Sequence, residues 1–231
     1  MLGIILAGTA PGLALLSYFY LKDKYEPEPI FLVFCTFFFG ALVMFPVAFL
    51  EYILETENVA NTELSRAFLS SGMLEELFKW FILIYFAYRN MEFDEPFDGI
   101  VYGTSVSLGF ATAENIMYLL SYGVEYALNR ALLPVSSHAL FGVIMGYYAS
   151  KAKFTQGSKW GWMSLSFLFP SILHGFYNYI LALQSSWFLI IVPYMVLLWV
   201  FTQKKIKLAQ SMSKTHFSKQ YRIKTRQIQS A

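Results

Sequence analysis

Residues 72–88 read GMLEELFKWFILIYFAY, an apolar stretch of helical length that carries two adjacent carboxylates, Glu75 and Glu76, and one cation, Lys79. A charge near the centre of a bilayer costs about 2.5–3.5 kcal/mol even on insertion scales, so such residues usually face the interior of a helix bundle and serve a function. On a helix, Lys79 follows the two glutamates by four and three residues, so its ammonium can reach either carboxylate. The stretch therefore predicts a membrane helix with a buried, functional polar face.

The composition is typical of an integral membrane protein. Hydrophobic residues make up 57% of the 231 residues and charged residues 14%, whereas about a quarter of a soluble protein is charged. The single cysteine, Cys35, excludes an intramolecular disulfide. No basic segment precedes Lys22, so we interpret the first apolar stretch as a retained helix rather than a cleaved signal.

Apolar stretches of about 20 residues predict an all-α, polytopic bundle with about seven transmembrane helices. The predicted spans are 2–21, 30–51, 66–88, 97–120, 131–150, 161–181 and 187–203. GxxxG spacings at Gly99/Gly103 and Gly142/Gly146 indicate close helix packing. We expect residues 1–203 to form the membrane bundle and residues 204–231 to form a basic, solvated and partly disordered tail.

The distribution of Lys and Arg between alternate connections predicts the orientation. One set of connections, with the tail, holds fourteen basic residues, and the other set holds only Arg66 and Arg130. This asymmetry predicts an outside N-terminus and a cytoplasmic C-terminus. A basic tail without aromatic interleaving favours attraction to anionic lipid and gives no sign of nucleic-acid binding.

Four polar residues on four predicted helices share one depth. With a rise of 1.5 Å per residue, Glu75, Glu114, His138 and His174 lie about 9–14 Å below the outer boundary. Each alone has a structural explanation, such as an internal ion pair or a packing histidine, but their common depth predicts one polar site. Asn115 and Asn178 lie beside two of these residues.

Glutamate and histidine move protons near neutral pH, so this set suits activation of a water molecule to attack a peptide carbonyl. The same side chains can bind a divalent metal, although no HExxH motif is present. They also suit a proton-coupled transporter, which would more often show an internal repeat that we do not find. A catalytically silent scaffold is a further alternative.

The motifs at these positions resemble the PrsW family of bacterial membrane proteases. EELFK at 75–79 is similar to the family's EExxK motif, FATAEN at 110–115 to its FxxxE motif, and His138 and HGFYN at 174–178 to its histidine motifs. The stretch FDEPFDGIVYGTSVSLGF at 93–110 and the opening APGLALLSYFYLKDKY at 10–25 also resemble the family. The resemblance extends to about residue 203.

The resemblance implies an endopeptidase in the bacterial cell membrane. Its implied substrate is a single-pass, membrane-spanning anti-sigma factor, cleaved at site 1 on the extracytoplasmic side under envelope stress. A wider superfamily includes CAAX prenyl endopeptidases and bacteriocin-immunity proteins, so a non-proteolytic, immunity-like membrane protein is an alternative.

The resemblance also implies roles for individual residues. Glu75 and Glu76 would be the catalytic pair, with Glu75 as general base. The other implied site residues are Glu114 and His138, which position the water, His174, which stabilises the oxyanion, and Lys79, Asn115 and Asn178 in support. A metal such as zinc, if present, would be held by Glu76, Glu114, His138 and His174. We interpret Asp98 as a helix cap or boundary charge.

Overall fold

The computed structural model describes residues 1–183 and 187–229, which contain seven helical segments and no strand. Their bounds are α1 Leu2–Tyr20, α2 Ile30–Thr56, α3 63–88, α4 Asp98–Tyr122, α5 Val124–Phe154, α6 Lys159–Ala182 and α7 Trp187–Gln229. The predicted all-helical class and the positions of the helices are confirmed. The short connection between α6 and α7 includes residues 184–186, which lie outside the described part.

Four of these helices are long and apolar enough to cross a membrane by length and composition: α1, α2, α5 and the 187–219 part of α7. The others, α3, α4 and α6, fall short on that measure. The glutamates and lysine of α3 and the Gly, Ser and Thr residues of α4 lower their hydropathy. The count of seven membrane crossings and the orientation of the termini therefore stay predictions.

Helix α4 lies at the centre of the bundle. Every residue from Asp98 to Thr112 is buried, and α4 packs against α1, α2 and α5. On α2, one face turns towards α4 and carries the buried residues Val33, Thr36, Gly40, Met44 and Val47. The other face of α2 exposes Phe31, Phe34, Phe38, Phe45 and Phe49. A row of exposed phenylalanines is typical of a lipid-facing surface.

The two GxxxG spacings meet each other where α4 crosses α5. A Cβ atom on Gly146 would collide with the backbone of Gly99, and a Cβ atom on Gly103 with the carbonyl of Gly142. Because the obstacles are backbone atoms, no side-chain movement relieves them. The sequence prediction of close packing at these glycines is confirmed.

We expect Gly146→Ala to lower the free energy of unfolding by about 1–3 kcal/mol or more, because the two backbones must separate. Gly3→Ala is the matched control, since nothing lies within 4 Å of a Cβ atom at Gly3, and it should leave stability nearly unchanged. Thermal unfolding of both variants in detergent checks this. Equal melting temperatures for the two variants would contradict the close contact.

Helix α3 is irregular, and the irregularity includes the glutamates. It begins with Thr62 as an N-cap, whose side chain accepts a hydrogen bond from the backbone N–H of Ser65. It then winds as a π-helix over Arg66–Glu75, returns to an α-helix over Glu76–Ile82 and ends as a π-helix over Leu83–Tyr88. A third π-helical segment, Ala131–Val135, contains Pro134 and comes just before His138 in α5. π-Helical turns are frequent at functional sites.

The tail differs from the sequence prediction. Helix α7 continues through residue 203 without a break, whereas we expected a partly disordered segment from residue 204. Ile206, Ala209 and Ser213 are buried because this part of α7 packs on the predicted cytoplasmic end of the bundle. Gln210 there donates a hydrogen bond to the Lys22 carbonyl at 2.8 Å. The alternation of basic and apolar residues therefore belongs to an amphipathic helix, although the proposed division at residue 203 stays a prediction.

Candidate active site

The site is centred on Lys79, whose side chain is completely buried in α3. Its Nζ atom lies 2.9 Å from Glu75 Oε2 and 2.8 Å from Glu76 Oε1. The change from π-helix to α-helix between Glu75 and Glu76 brings both adjacent carboxylates to the buried side of α3. The ion pairing predicted from the spacing of these residues is confirmed.

The third contact of Lys79 crosses to α5. Its Nζ atom lies 2.9 Å from His138 Nδ1. Because an ammonium has only donors, His138 Nδ1 must be the accepting nitrogen and the ring proton must be on Nε2. That nitrogen then donates to Glu114 Oε2 on α4, at 3.1 Å. The three ammonium protons of Lys79 are thus all used, and one hydrogen-bonded chain links α3, α5 and α4.

Helix α6 contributes His174. Its Nδ1 atom lies 3.0 Å from Glu76 Oε1, and since an ionised carboxylate only accepts, Nδ1 carries a proton. The rings of His138 and His174 are 4.9 Å apart, edge to face. The convergence of residues from four helices, which the common depth predicted, is confirmed by these contacts. Their catalytic roles stay predictions.

Aromatic rings surround the charged groups. Lys79 Nζ lies 4.1 Å from the centre of the Phe110 ring, and the Phe141 ring stacks on His174 at 4.9 Å. Apolar walls lower the local dielectric and strengthen the electrostatic interactions among the site groups. Access to the site lies on the side of Glu114 and Glu75, whose side chains are 37% and 10% exposed, whereas those of Glu76 and Lys79 are fully buried.

The structure adds Arg130, which the sequence reasoning treated as a charge at a helix edge. Its guanidinium donates to Glu114 Oε1 at 2.8 Å and to Asn115 Oδ1 at 3.0 Å. Asn115 in turn donates to the Gly8 carbonyl at 3.0 Å. Asn115 therefore supports the site through Arg130 and α1, and within the described residues it makes no hydrogen bond to the catalytic candidates. The turn that brings Arg130 inward is not visible in the sequence, where its only signal is a lone basic residue close to the polar set.

Asn178 and Glu51 both differ from their predicted positions relative to the site. Asn178 is half-buried on α6 and makes no hydrogen bond to the site residues within the described ranges 1–183 and 187–229. Glu51, which we treated as the end of a span, is directed inward from α2 and interacts electrostatically with Lys79 and Glu114. Its Oε1 atom is buried without a hydrogen-bond partner among the described residues.

The donor set fits a metal ion. Glu75, Glu76, His138 and His174 can each offer one ligand atom, and these atoms lie within 4.8 Å of one another. Glu76 Oε2 is buried and has no hydrogen-bond partner among the described residues, so it is available as a ligand. Two histidines with a carboxylate form a known catalytic zinc set. The predicted metal set named Glu114 in place of Glu75, but Glu114 interacts with Arg130 and His138 and lies outside this group.

We expect Arg130→Gln to lower the activity of the site by about tenfold or more while the protein stays folded, because Glu114 loses its fixed position against His138. Arg66→Gln is the matched control. Its exposed pair with Glu63 contributes little, about 0–1 kcal/mol. Peptide-bond cleavage measured at matched protein levels checks this, and equal activity in the two variants would contradict a positioning role for Arg130.

Comparisons with known proteins agree with this chemistry. A family model described as PrsW family intramembrane metalloprotease matches residues 28–202. A relative from Bacillus subtilis (strain 168), named Protease PrsW, is 54% identical over 214 residues, covering 92% of this chain and 98% of the relative. Relatives of the same name from Geobacillus kaustophilus and Clostridioides difficile are 51% and 32% identical, covering 93% and 85% of this chain and 95% and 87% of their own length. No solved structure matches the chain significantly.

Proposed function

Because the chain belongs to the PrsW family of intramembrane metalloproteases and is therefore a peptidase, we propose that it makes the site-1 cleavage of a membrane-spanning anti-sigma factor. The observation that carries this proposal is the convergence of two glutamates, two histidines and a lysine in a buried cluster, with ligand atoms within 4.8 Å of one another. In this reading, the cleavage starts the release of a sigma factor under envelope stress.

Glu75 is the general base in the proposed reaction. Its side chain is the more accessible of the glutamate pair, and its carboxylate takes a proton from the attacking water before passing it to the leaving amine. Glu76 is fully buried and holds both Lys79 and His174, so it orients the groups around the reacting water. His174 on α6, when its Nε2 is protonated and holds no metal, can stabilise negative charge on the carbonyl oxygen.

Glu76, His138 and His174 would hold the metal that the family description implies. When bound, a zinc ion lowers the pKa of a bound water and polarises a carbonyl. Lys79 Nζ contacts Glu76 Oε1 and His138 Nδ1, so the ammonium occupies the nitrogen that His138 would offer to a metal ion, while Glu76 Oε2 stays free. The chain of contacts from His138 to Glu114 and Arg130 fixes the ring and its tautomer, as expected of partners behind a metal ligand.

The substrate assignment rests on the family resemblance and on the predicted orientation. Glu75 lies in the first half of α3 and His138 in the first half of α5, and both helices are predicted to begin at the outer surface. A site in the outer half of the bilayer suits a cut on the extracytoplasmic side of a single-pass protein. The bacterial cell membrane is the corresponding location.

The test uses the full-length chain in liposomes with a single-pass anti-sigma factor tagged at both ends. We expect a cut that separates the extracytoplasmic tag, loses rate on treatment with a zinc chelator and recovers on addition of Zn²⁺. A cut at the cytoplasmic side would overturn the orientation. An anti-sigma factor left intact, while another single-pass protein is cleaved, would overturn the substrate assignment but not the peptidase.

A further inference from the structure

A second cluster of carboxylates lies at the opposite end of α4. Asp23 follows α1, Glu95 lies in the connection before α4, and Asp98 is the first residue of α4. One oxygen from each lies within 4.8 Å of the other two. Asp98 and Glu114 are sixteen residues apart on one helix, so this cluster lies roughly 24 Å from the candidate active site.

All three side chains are at least nine-tenths buried, and Glu95 and Asp98 have no exposed surface. Asp98 Oδ2 accepts the backbone N–H of Glu95, three residues upstream, at 2.6 Å, which fixes the direction of its carboxylate. No side chain caps the first turn of α4, so the capping role stays a prediction. Both oxygens of Asp23 and Glu95, and Oδ1 of Asp98, have no hydrogen-bond partner among the described residues. These five buried oxygens make no close hydrogen bond, although the backbone N–H groups of Lys24 and Tyr25 interact with Asp23 and the Ser213 hydroxyl interacts with Glu95.

None of the ion pairs found in the described part of the chain supplies a counter-ion to the cluster. None of the ion pairs there includes Asp23, Glu95 or Asp98. Lys153 interacts electrostatically with Asp98, but its ammonium donates a hydrogen bond to the Tyr88 carbonyl at 3.0 Å. A fourth buried carboxylate, Glu28, adds negative charge and accepts a hydrogen bond from the Tyr102 hydroxyl. Buried carboxylates without a counter-ion are strongly unfavourable in the charged form.

Burial and crowding favour the protonated form of these carboxyl groups and so raise their pKa values. Burial, with smaller effects from the neighbouring carboxylates, raises the pKa of Glu95 to about 8. Burial likewise raises the pKa of Asp23 above its ordinary value. A bound cation would remove the electrostatic part of this cost and supply the missing partner for the five oxygens.

We propose that Asp23, Glu95 and Asp98 form a second, structural cation site for a hard divalent ion, Ca²⁺ or Mg²⁺. The donor set contains only oxygen, which such ions prefer, whereas the active-site cluster includes histidine nitrogen and suits zinc. Calcium–oxygen bonds of about 2.3–2.6 Å allow two ligands of one ion to lie up to about 5 Å apart, which fits the spacing of these oxygens. Magnesium would need the carboxylates to move closer together.

The site would connect three parts of the chain at the predicted cytoplasmic end. Asp23 belongs to the connection after α1, and Glu95 and Asp98 to the start of α4. Helix α7 covers both, since Ser213 accepts the Phe97 N–H at 3.1 Å and Gln210 reaches the Lys22 carbonyl. A cation here would hold the two connections under α7 independently of the chemistry at the other end of α4.

The experiment measures ion uptake and thermal unfolding of the full-length protein in detergent after treatment with a chelator. Adding Ca²⁺ or Mg²⁺ at about 100 times the dissociation constant should raise the melting temperature by roughly 5–10 °C. Glu95→Gln and Asp98→Asn should lose this response. Asp94→Asn, at the exposed neighbour of Glu95, is the matched control and should keep it. Glu76→Gln should also keep it, which separates this site from the active-site cluster.

Ion binding can also be measured directly on the wild-type protein, so the test does not depend on whether the variants fold. Tb³⁺ luminescence of the wild-type protein, excited through nearby tyrosine, should appear at one ion per chain and fall when Ca²⁺ is added. Wild-type protein whose melting temperature and luminescence do not respond to Ca²⁺ or Mg²⁺ would overturn the proposal and leave the carboxylates sharing protons. Loss of the response in Asp94→Asn or Glu76→Gln would overturn it as well. None of these readouts depends on peptide cleavage.

Discussion

Replacing Glu75 with Gln is expected to reduce peptide-bond cleavage by about 10²–10⁴-fold, the range usual for loss of a general base. The substitution keeps the shape of the side chain and still offers an oxygen to Lys79, which lies 2.9 Å from Glu75 Oε2. It removes the ability to take a proton from water and the negative charge that pairs with Lys79. Cleavage of a tagged single-pass substrate in cells, at matched protein levels, measures the effect.

Glu57→Gln is the control for this variant, since Glu57 is an exposed glutamate at the end of α2. It should cleave at the wild-type rate. Equal cleavage by wild type, Glu57→Gln and Glu75→Gln would remove Glu75 from the chemistry. A melting temperature of Glu75→Gln close to that of the wild type is needed to attribute lost cleavage to the missing base.

The location of the site was predictable because depth in a membrane bundle follows from counting residues along a helix. Glu75, His138 and His174 are far apart in sequence, yet a rise of about 1.5 Å per residue places them at one level. The hydrogen-bond partner of each of these side chains could not be predicted from the sequence. The contact between Lys79 and His138 spans 59 positions and depends on the rotation of α5, where a π-helical turn at Pro134 comes just before His138.

Arg130 and Asn178 also show that the direction of a side chain could not be predicted from the sequence. Both lie beside the predicted polar set in the sequence, but Arg130 is directed inward to Glu114 and Asn178 is not hydrogen-bonded to the site. Hydropathy gives the number and rough ends of the helices, and it does not give the direction of a single residue near a helix end. The extension of α7 beyond residue 203 was missed for a related reason, since charged residues in an amphipathic helix lower the mean hydropathy.

Replacing Lys79 with Met is expected to lower the free energy of unfolding by about 3–5 kcal/mol, the usual cost of removing one partner from a buried ion pair. Lys79 is fully buried and supplies all three of its protons to Glu75, Glu76 and His138. Without it, two adjacent carboxylates remain in an apolar setting with no lysine between them. Thermal unfolding in detergent after chelator treatment measures the loss.

Neutralising the two glutamates as well should recover part of the unfolding free energy that Lys79→Met loses. The triple variant Lys79→Met with Glu75→Gln and Glu76→Gln carries no charge at these positions, so it should unfold at a higher temperature than Lys79→Met alone. Zn²⁺ should also stabilise Lys79→Met more than it stabilises the wild type, because the ammonium no longer occupies His138 Nδ1. Mg²⁺, which avoids histidine ligands, should not reproduce that difference. If Lys79→Met is as stable as the wild type, the ammonium is not the centre of the cluster, and the family's metal would have to be held through other contacts.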